Sequence, residues 1–267
     1  MELFFRKTGE GEPLIILHGL FGSSDNWYSI GRELSGYFQV YLIDQRNHGQ
    51  SPHSTLHNYD VLGEDLRKFM DNHHLQKANI IGHSMGGKTS LSLGIKYPER
   101  IIKMIVVDIS PFSYPVTAPP KEYLSHERVI DGMLSVNPSQ LKSREEADAK
   151  LKEFISLPAV RQFLLKNLKR TENGGFKWLL NLQALSENLS NIYSGTFDES
   201  STNAEDLPFF PLLFIKGENS GYINASAEAS IVKYFPHAEI KMIQNAGHWV
   251  HADQPAAFLS VVKDFLR

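Results

Sequence analysis

No cysteine occurs anywhere in the chain. That excludes disulfides, thiolate metal sites and a cysteine nucleophile, and it fits a reducing compartment. Long apolar runs are missing too, since none approaches the roughly 20 residues that a membrane-spanning helix needs. The opening stretch Met1-Glu2-Leu3-Phe4-Phe5-Arg6-Lys7 puts its acid first and its basic pair after a short apolar run, and no signal-peptide core follows. A cytoplasmic location is the resulting expectation. Nor is there an excess of either charge. Against 30 Asp and Glu stand 27 Lys and Arg, a formal net charge of −3, which gives no reason to expect nucleic acid or an anionic membrane as partner. Repeats and low-complexity segments are absent.

Signatures of bound nucleotide or metal are equally scarce. No G-x-G-x-x-G follows the first apolar strand, and the segment Gly82 to Thr89, superficially similar to a phosphate-binding loop, is not read as one. The 11 histidines include the pair His73-His74, but neighbours on a helix point apart, and no H-x-x-x-H face carries a carboxylate alongside. Neither a metal nor a cofactor is expected.

What is present is a soluble globular composition, 42% hydrophobic and 21% charged, in 267 residues. That length suits one large α/β domain, or one carrying an inserted subdomain. Residues 2–9 read as an exposed strand. The run 14–17 is apolar without polar alternation, as in a strand buried on both faces of a parallel sheet; 40–43 and 101–109 read as further buried strands, and 78–81, 210–215 and 240–243 as strands. Helical spacing lies between them at about 26–34, 59–72, 85–96, 224–234 and 255–266. This rhythm predicts βαβ units. It breaks over residues 111–206, which open with Pro111, Pro115, Pro119 and Pro120 and continue with helical patterns near 122–135, 143–155, 159–169 and 176–190. No buried strand is expected there. Such a length is too great for an ordinary connection, so the chain divides into a core (1–110 and 207–267) and a helical cap (111–206). The charged run 143–150 is read as a solvated helix face.

Ser84 stands between the strand at 78–81 and the helix at 85–96, flanked by Gly82 and Gly86. A serine hydroxyl becomes a useful nucleophile when held beside a base and an oxyanion site. A sharp strand-to-helix turn does the holding, and it leaves no room for side chains two residues to either side. The base should follow in chain order, at the carboxyl edge of the sheet, and His248 in Asn245-Ala246-Gly247-His248-Trp249 does so. His251 is expected to point elsewhere. For the carboxylate that orients the base there are two positions, Asp108 and Glu218. Asp108 is favoured, because a carboxylate ending a fully apolar strand is costly without a partner. The oxyanion would be held by the N–H groups of Met85, at the helix start, and of Leu20, in the glycine-flanked loop after the strand at 14–17. His18 reads as a structural hydrogen-bonding residue, and Asp44, Arg46 and His48 as a loop-fixing ion pair.

The segments His18-Gly19-Leu20-Phe21-Gly22, Asp44 to Ser51, Gly82 to Gly87 and Gly247-His248 together resemble the α/β-hydrolase superfamily. Arg46-Asn47-His48-Gly49, Gly82 to Lys88, Asp108-Ile109-Ser110-Pro111 and Gly247 to His251 resemble, within it, the YbfF-type esterases and α/β-hydrolase domain-containing protein 11. The resemblance covers essentially the whole chain. It implies an α/β-hydrolase fold with a mostly parallel sheet flanked by helices and an inserted helical cap, and an acid on the strand after the nucleophile's helix, hence Asp108. Asn219 and Ser220 then stand where most of the superfamily carries its acid. It further implies cofactor-free hydrolysis of small acyl esters or thioesters.

The expectation is a serine carboxylesterase with a small-molecule ester as partner, as monomer or homodimer, with Ser84, His248 and Asp108 catalytic and Leu20 and Met85 as oxyanion donors. Phe21, Phe112, Trp178 and Trp249 are expected to bind substrate, with Tyr123, Leu124, Phe163, Leu164 and Leu179 as further apolar cap residues. The alternatives are an acyl thioesterase, a C–C bond hydrolase, a cofactor-free haloperoxidase-like enzyme, or a non-catalytic binding protein on the same fold.

Overall fold

The computed structural model describes residues 1–114 and 125–267. The chain runs β1 (Phe5–Thr8), β2 (Pro13–Leu17), α1 (Tyr28–Leu34), β3 (Gln39–Ile43), α2 (Tyr59–Asn72), β4 (Ala78–His83), α3 (Met85–Lys96) and β5 (Ile101–Val107). After an insertion it resumes with β8 (Leu212–Gly217), α9 (Ala225–Tyr234), β9 (Glu239–Ile243), α10 (Val250–Asp253) and α11 (Pro255–Leu266). The seven strands form one sheet in the order β1-β3-β2-β4-β5-β8-β9. β1 pairs antiparallel with β3, and every other pairing is parallel.

Unbroken apolar strands follow from a sheet covered on both faces. Successive side chains of a strand point to opposite sides. Ile15 and Leu17 accordingly join a core with Leu66 and Phe69 of α2, Leu91 of α3 and Ile231 of α9. Leu14 and Ile16 join a second core with Ile30 and Leu34 of α1 and Phe258 and Val262 of α11. Each face must stay apolar, so polarity is displaced to the strand ends. There the loops after β2, β4, β5, β8 and β9 meet.

Between β5 and β8 lie α4 (His126–Ser135), α5 (Arg144–Leu151), α6 (Pro158–Leu165), β6 (Leu168–Arg170), β7 (Phe176–Trp178), α7 (Leu182–Glu187) and α8 (Leu189–Tyr193). α4 starts on Ser125, whose side chain accepts from Arg128 N. β6 and β7 form an antiparallel hairpin, which corrects the expectation of helix through 169 and from 176. The cause is turn chemistry: Gly174, at φ 88°, lets the chain reverse, and Thr171 N donates to Gly175 O at 2.8 Å. The expected start of helix at 122, together with Pro115, Pro119, Pro120, Tyr123 and Leu124, lies outside the described residues. The insertion has its own core, in which Val129, Ile130 and Met133 of α4 pack with Leu164, Leu185 and, from beneath, Leu20, Phe21 and Met85.

The insertion hangs on a neck of two paired segments. Tyr114 N donates to Tyr193 O at 2.9 Å and Thr196 N to Pro111 O at 2.8 Å, while Gly195 N donates to Ser113 Oγ at 2.8 Å. Lys88 of α3, fully buried, donates from Nζ to Phe112 O at 2.9 Å and to Ser194 O at 2.5 Å, one carbonyl on each side of the neck. Burial pushes its pKa down to about 7.

Candidate active site

β4 ends at His83 and α3 begins at Met85, so the chain turns from strand to helix on Ser84 alone. That residue takes φ 52° and ψ −119°, a left-handed conformation uncommon for any residue but glycine. So sharp a turn brings backbone onto backbone. A Cβ on Gly82 would stand 2.3 Å from Gly86 O, and one on Gly86 2.6 Å from Leu17 O. Both glycines are thus required by contact. Ser84 N donates to Val107 O at 2.9 Å, tying the turn to the neighbouring strand.

Asp108 ends that neighbouring strand in the same way, at φ 51°. It is fully buried, and every part of its carboxylate is engaged. Oδ1 accepts from Gly217 N at 3.0 Å, and Oδ2 accepts from Ser220 Oγ and from His248 Nδ1, the latter at 2.8 Å. An ionised carboxylate only accepts, so the Nδ1–H tautomer of His248 is fixed and Nε2 is left as the acceptor. The His248 ring lies flat on Tyr222, with centroids 3.9 Å apart and planes at 19°, and the backbone carbonyl of His248 accepts from His83 Nε2 at 2.8 Å. The imidazole is therefore gripped at its Nδ1, its face and its backbone. Glu218, the other acid weighed, is exposed and accepts from Asn245 N at 2.8 Å, away from the imidazole.

Ser84 and His248 line one cavity of about 310 Å³, together with Leu20, Phe21, Trp249, Phe163 and Leu164. The loop carrying Leu20 passes close over the serine, where a Cβ on Gly19 would come within 3.1 Å of Ser84 Cβ. Phe21, at φ 60°, donates its N–H to His48 Nε2 at 3.2 Å. Met85 opens α3, where the first N–H groups lack an intrahelical partner and the dipole favours negative charge. His57 Nε2 lies 3.4 Å from Met85 Sδ and steadies that side chain. His18 is structural, its Nε2 accepting from Gln45 N at 3.0 Å. The expected ion pair among Asp44, Arg46 and His48 needs correcting. Arg46 pairs with Asp65 at 2.6 Å. Asp44 instead accepts from Ser24 N and Gln50 N. The buried Asp65 offers Arg46 a carboxylate, whereas the Asp44 oxygens are already taken by backbone donors.

Burial holds His18, His48 and His83 below the ordinary imidazole range, and pushes His57 down to about 4 and His251 to about 3. His251 stacks on Trp27 at 3.8 Å and has no carboxylate beside its ring among the described residues.

Two of the expected substrate contacts lie elsewhere. Phe112 packs under the neck against Phe197 and Tyr234, at 5.6 and 5.5 Å, because the chain at 111–114 is held down by the pairing with 193–196. Trp178 belongs to β7 opposite Leu168 and packs into the insertion's own core, as hairpin pairing dictates, and Leu179 also stays outside the lining. Their places are taken by Val129 of α4, by Leu157 and Val160 at the start of α6, and by Tyr222. The spacing 157, 160, 163 and 164 is helical and legible, but which cavity that face meets is a matter of tertiary packing. His126, also in the lining, was missed because its neighbours in sequence carry no motif.

The octapeptide Gly82 to Thr89 does have the G-x-x-x-x-G-K-T spacing, so spacing does not separate it from a phosphate-binding loop. Geometry does. A phosphate loop wraps several backbone N–H groups around its ligand, whereas here one residue joins strand to helix and Lys88 is committed to two carbonyls in the neck. Among the described residues no group of three or more His, Asp or Glu could hold a metal, and no helix is long and apolar enough to cross a membrane.

Residues 12–255 match the family model described as alpha/beta hydrolase fold. The sn-1-specific diacylglycerol lipase ABHD11 of Danio rerio is 37% identical over 270 residues, which cover 98% of this chain and 81% of that protein. Esterase YbfF of Escherichia coli is 33% identical over 256 residues, 95% of this chain and 92% of the esterase. Among solved structures, a marine microorganism esterase superposes with a TM-score of 0.92 at 45% identity, covering 99% of both chains.

Proposed function

The chain belongs to the α/β-hydrolase family, and from that premise we propose that it is a serine carboxylesterase cleaving small to medium acyl esters. The observation that carries the reading is the 2.8 Å hydrogen bond between buried Asp108 and His248, whose ring shares a cavity with Ser84 on its single-residue turn. The names of the similar proteins, an esterase and a diacylglycerol lipase, support ester hydrolysis as the class of reaction.

The chemistry follows from the geometry. Ser84 Oγ attacks the ester carbonyl carbon and its proton passes to His248 Nε2. The carbonyl oxygen becomes an alkoxide, held by the N–H groups of Leu20 and Met85 at the positive end of α3. Asp108 keeps the imidazole in the Nδ1–H tautomer and balances the imidazolium. Collapse of the tetrahedral intermediate breaks the carbon–oxygen bond, and the proton on Nε2 leaves with the alcohol. Water then gives a proton to Nε2 and attacks the acyl carbon, which releases the acid and restores Ser84. In this reading the core (1–110 and 207–267) supplies the chemistry and the cap (111–206) the acyl wall, through Val129, Leu157, Val160, Phe163 and Leu164.

A thioesterase acting on acyl-CoA would need basic residues at the rim. Among the described residues the lining contains Asp253 and neither Lys nor Arg, which favours uncharged esters. A fluorophosphonate probe should label the wild-type protein and leave a folded Ser84→Ala variant unlabelled, and p-nitrophenyl esters should turn over far faster than acyl-CoAs. A folded wild-type protein that takes no label overturns the enzyme reading. Preferential cleavage of acyl-CoAs replaces esterase by thioesterase.

A further inference from the structure

Among the described residues, the insertion sends one titratable side chain into the cavity: His126, at the first position of α4, one helical turn from Val129 on the same face. Its ring is fixed on both sides. It lies nearly flat on Tyr193, with centroids 5.6 Å apart and planes at 18°, and Phe21 meets it edge-on at 5.9 Å. Tyr193 is itself tied into the neck by Tyr114 N. So firm a placement usually serves hydrogen bonds made by the ring nitrogens. Here no protein group among the described residues accepts from or donates to either nitrogen, although His18, His48, His57, His83 and His248 all have such partners. His126 is half-buried in the wall of this cavity, so a ligand that displaces water from its ring should offer the nitrogens a polar group in exchange.

We propose that His126 is a substrate-binding residue that takes a second, uncharged polar group of the ester, a hydroxyl or a carbonyl beyond the one attacked by Ser84. The proposal deepens the esterase reading and rests on it. Burial keeps the imidazole neutral, with a pKa near 4, so at neutral pH it offers one donor and one acceptor. The surroundings, Phe21, Tyr193 and Val129, provide nothing to balance an ion, which selects hydroxyl or carbonyl over carboxylate or ammonium. Substrates of this class are partial esters of polyols, hydroxyacyl esters and diesters. Ser84 fixes one point of such a molecule and His126 a second, so the pair sets which of several esters is presented for attack.

Three esters of one acyl length give the test: ethyl butyrate, ethyl 3-hydroxybutyrate and glycerol monobutyrate, the last two placing the hydroxyl on the acyl and the alcohol side respectively. The wild-type enzyme is expected to favour at least one hydroxylated ester over ethyl butyrate in kcat/KM. His126→Phe retains the ring stack and removes both nitrogens. It should reduce that preference about five- to tenfold, the worth of one uncharged hydrogen bond, with the change falling on KM. His126→Gln, which keeps a donor and an acceptor, should recover part of it. If the wild type shows no preference while Ser84 still takes the fluorophosphonate label, or if the preference survives in His126→Phe, the proposal is wrong. It is equally wrong if all three esters lose activity together in that variant. No turnover of any of the three with Ser84 unlabelled overturns the esterase reading, and this proposal with it.

Discussion

The cavity has two walls of opposite character. The wall at the sheet edge is polar, hydrogen-bonded and made of residues whose backbone is forced: Ser84 and Asp108 end adjacent strands at φ 52° and 51°, and His248 is held by Asp108 and His83. The wall from the insertion is helical and mostly apolar, with Val129, Leu157, Val160, Phe163 and Leu164. The first tolerates little displacement, since a Cβ at Gly82 or Gly86 already collides with backbone. The second is built of side chains that can be exchanged for others of similar volume. The proposed function puts reaction and selection in different parts of the fold, and each part should then fail in its own way.

The largest effect belongs to the sheet edge. Asp108→Asn keeps the shape but leaves His248 free to take the wrong tautomer, so kcat for a p-nitrophenyl ester should drop by about four orders of magnitude. Glu218→Gln should leave it within about twofold. A near-normal rate in Asp108→Asn would mean that the acid is not where the geometry puts it. A second effect follows from the buried imidazoles gathered on the same side. His57 titrates near 4 and His251 near 3 when folded, both lowered by burial from the ordinary 6.5. Below pH 6.5 the unfolded chain therefore binds protons that the folded chain refuses. Stability is present above that pH and declines as pH falls from 6.5 toward 3. Thermal melts at pH 7, 6 and 5 should show Tm falling at each step, and a Tm unchanged down to pH 5 would contradict the burial of these rings. The smallest effect belongs to the insertion. Phe163→Ala should raise KM for long acyl esters by up to about tenfold and change kcat little, since it removes apolar contact without touching the reacting atoms. A loss of kcat equal for all chain lengths would erase the distinction between the walls.

The same division governs how much was legible from residues alone. The alternating strands and helices were, because burial on both faces of a parallel sheet leaves continuous apolar runs at Leu14 to Leu17 and Val40 to Ile43. Ser84 and Asp108 could be singled out because each stands at a strand end, where chemistry depends on local backbone, and His248 because its loop follows the last strand in chain order. The hairpin at 168–178 carries a turn signal in Asn173-Gly174-Gly175, but its strands are three residues long, too short to show an alternation. Phe112 and Trp178 look like pocket residues by type, yet the neck and the hairpin turn both into packing. Conversely His126 has no neighbouring motif and is brought to the cavity by long-range packing. The segment ending in Lys88-Thr89 gives the sharpest case. Its spacing alone is compatible with phosphate binding, and what decides is that strand gives way to helix in one residue.

The neck has a consequence for how such a molecule can change over time. Pro111 and Thr196 are hydrogen-bonded to each other, so everything between them leaves the sheet and returns through a single doorway. To the sheet, that long excursion is no more demanding than a tight hairpin. A different length or arrangement of helices could be grafted at the same doorway with the strands undisturbed. One catalytic chassis can then inherit new tastes by exchanging a cassette, and Lys88, reaching one carbonyl on each doorpost, is the clasp that any replacement must still fit.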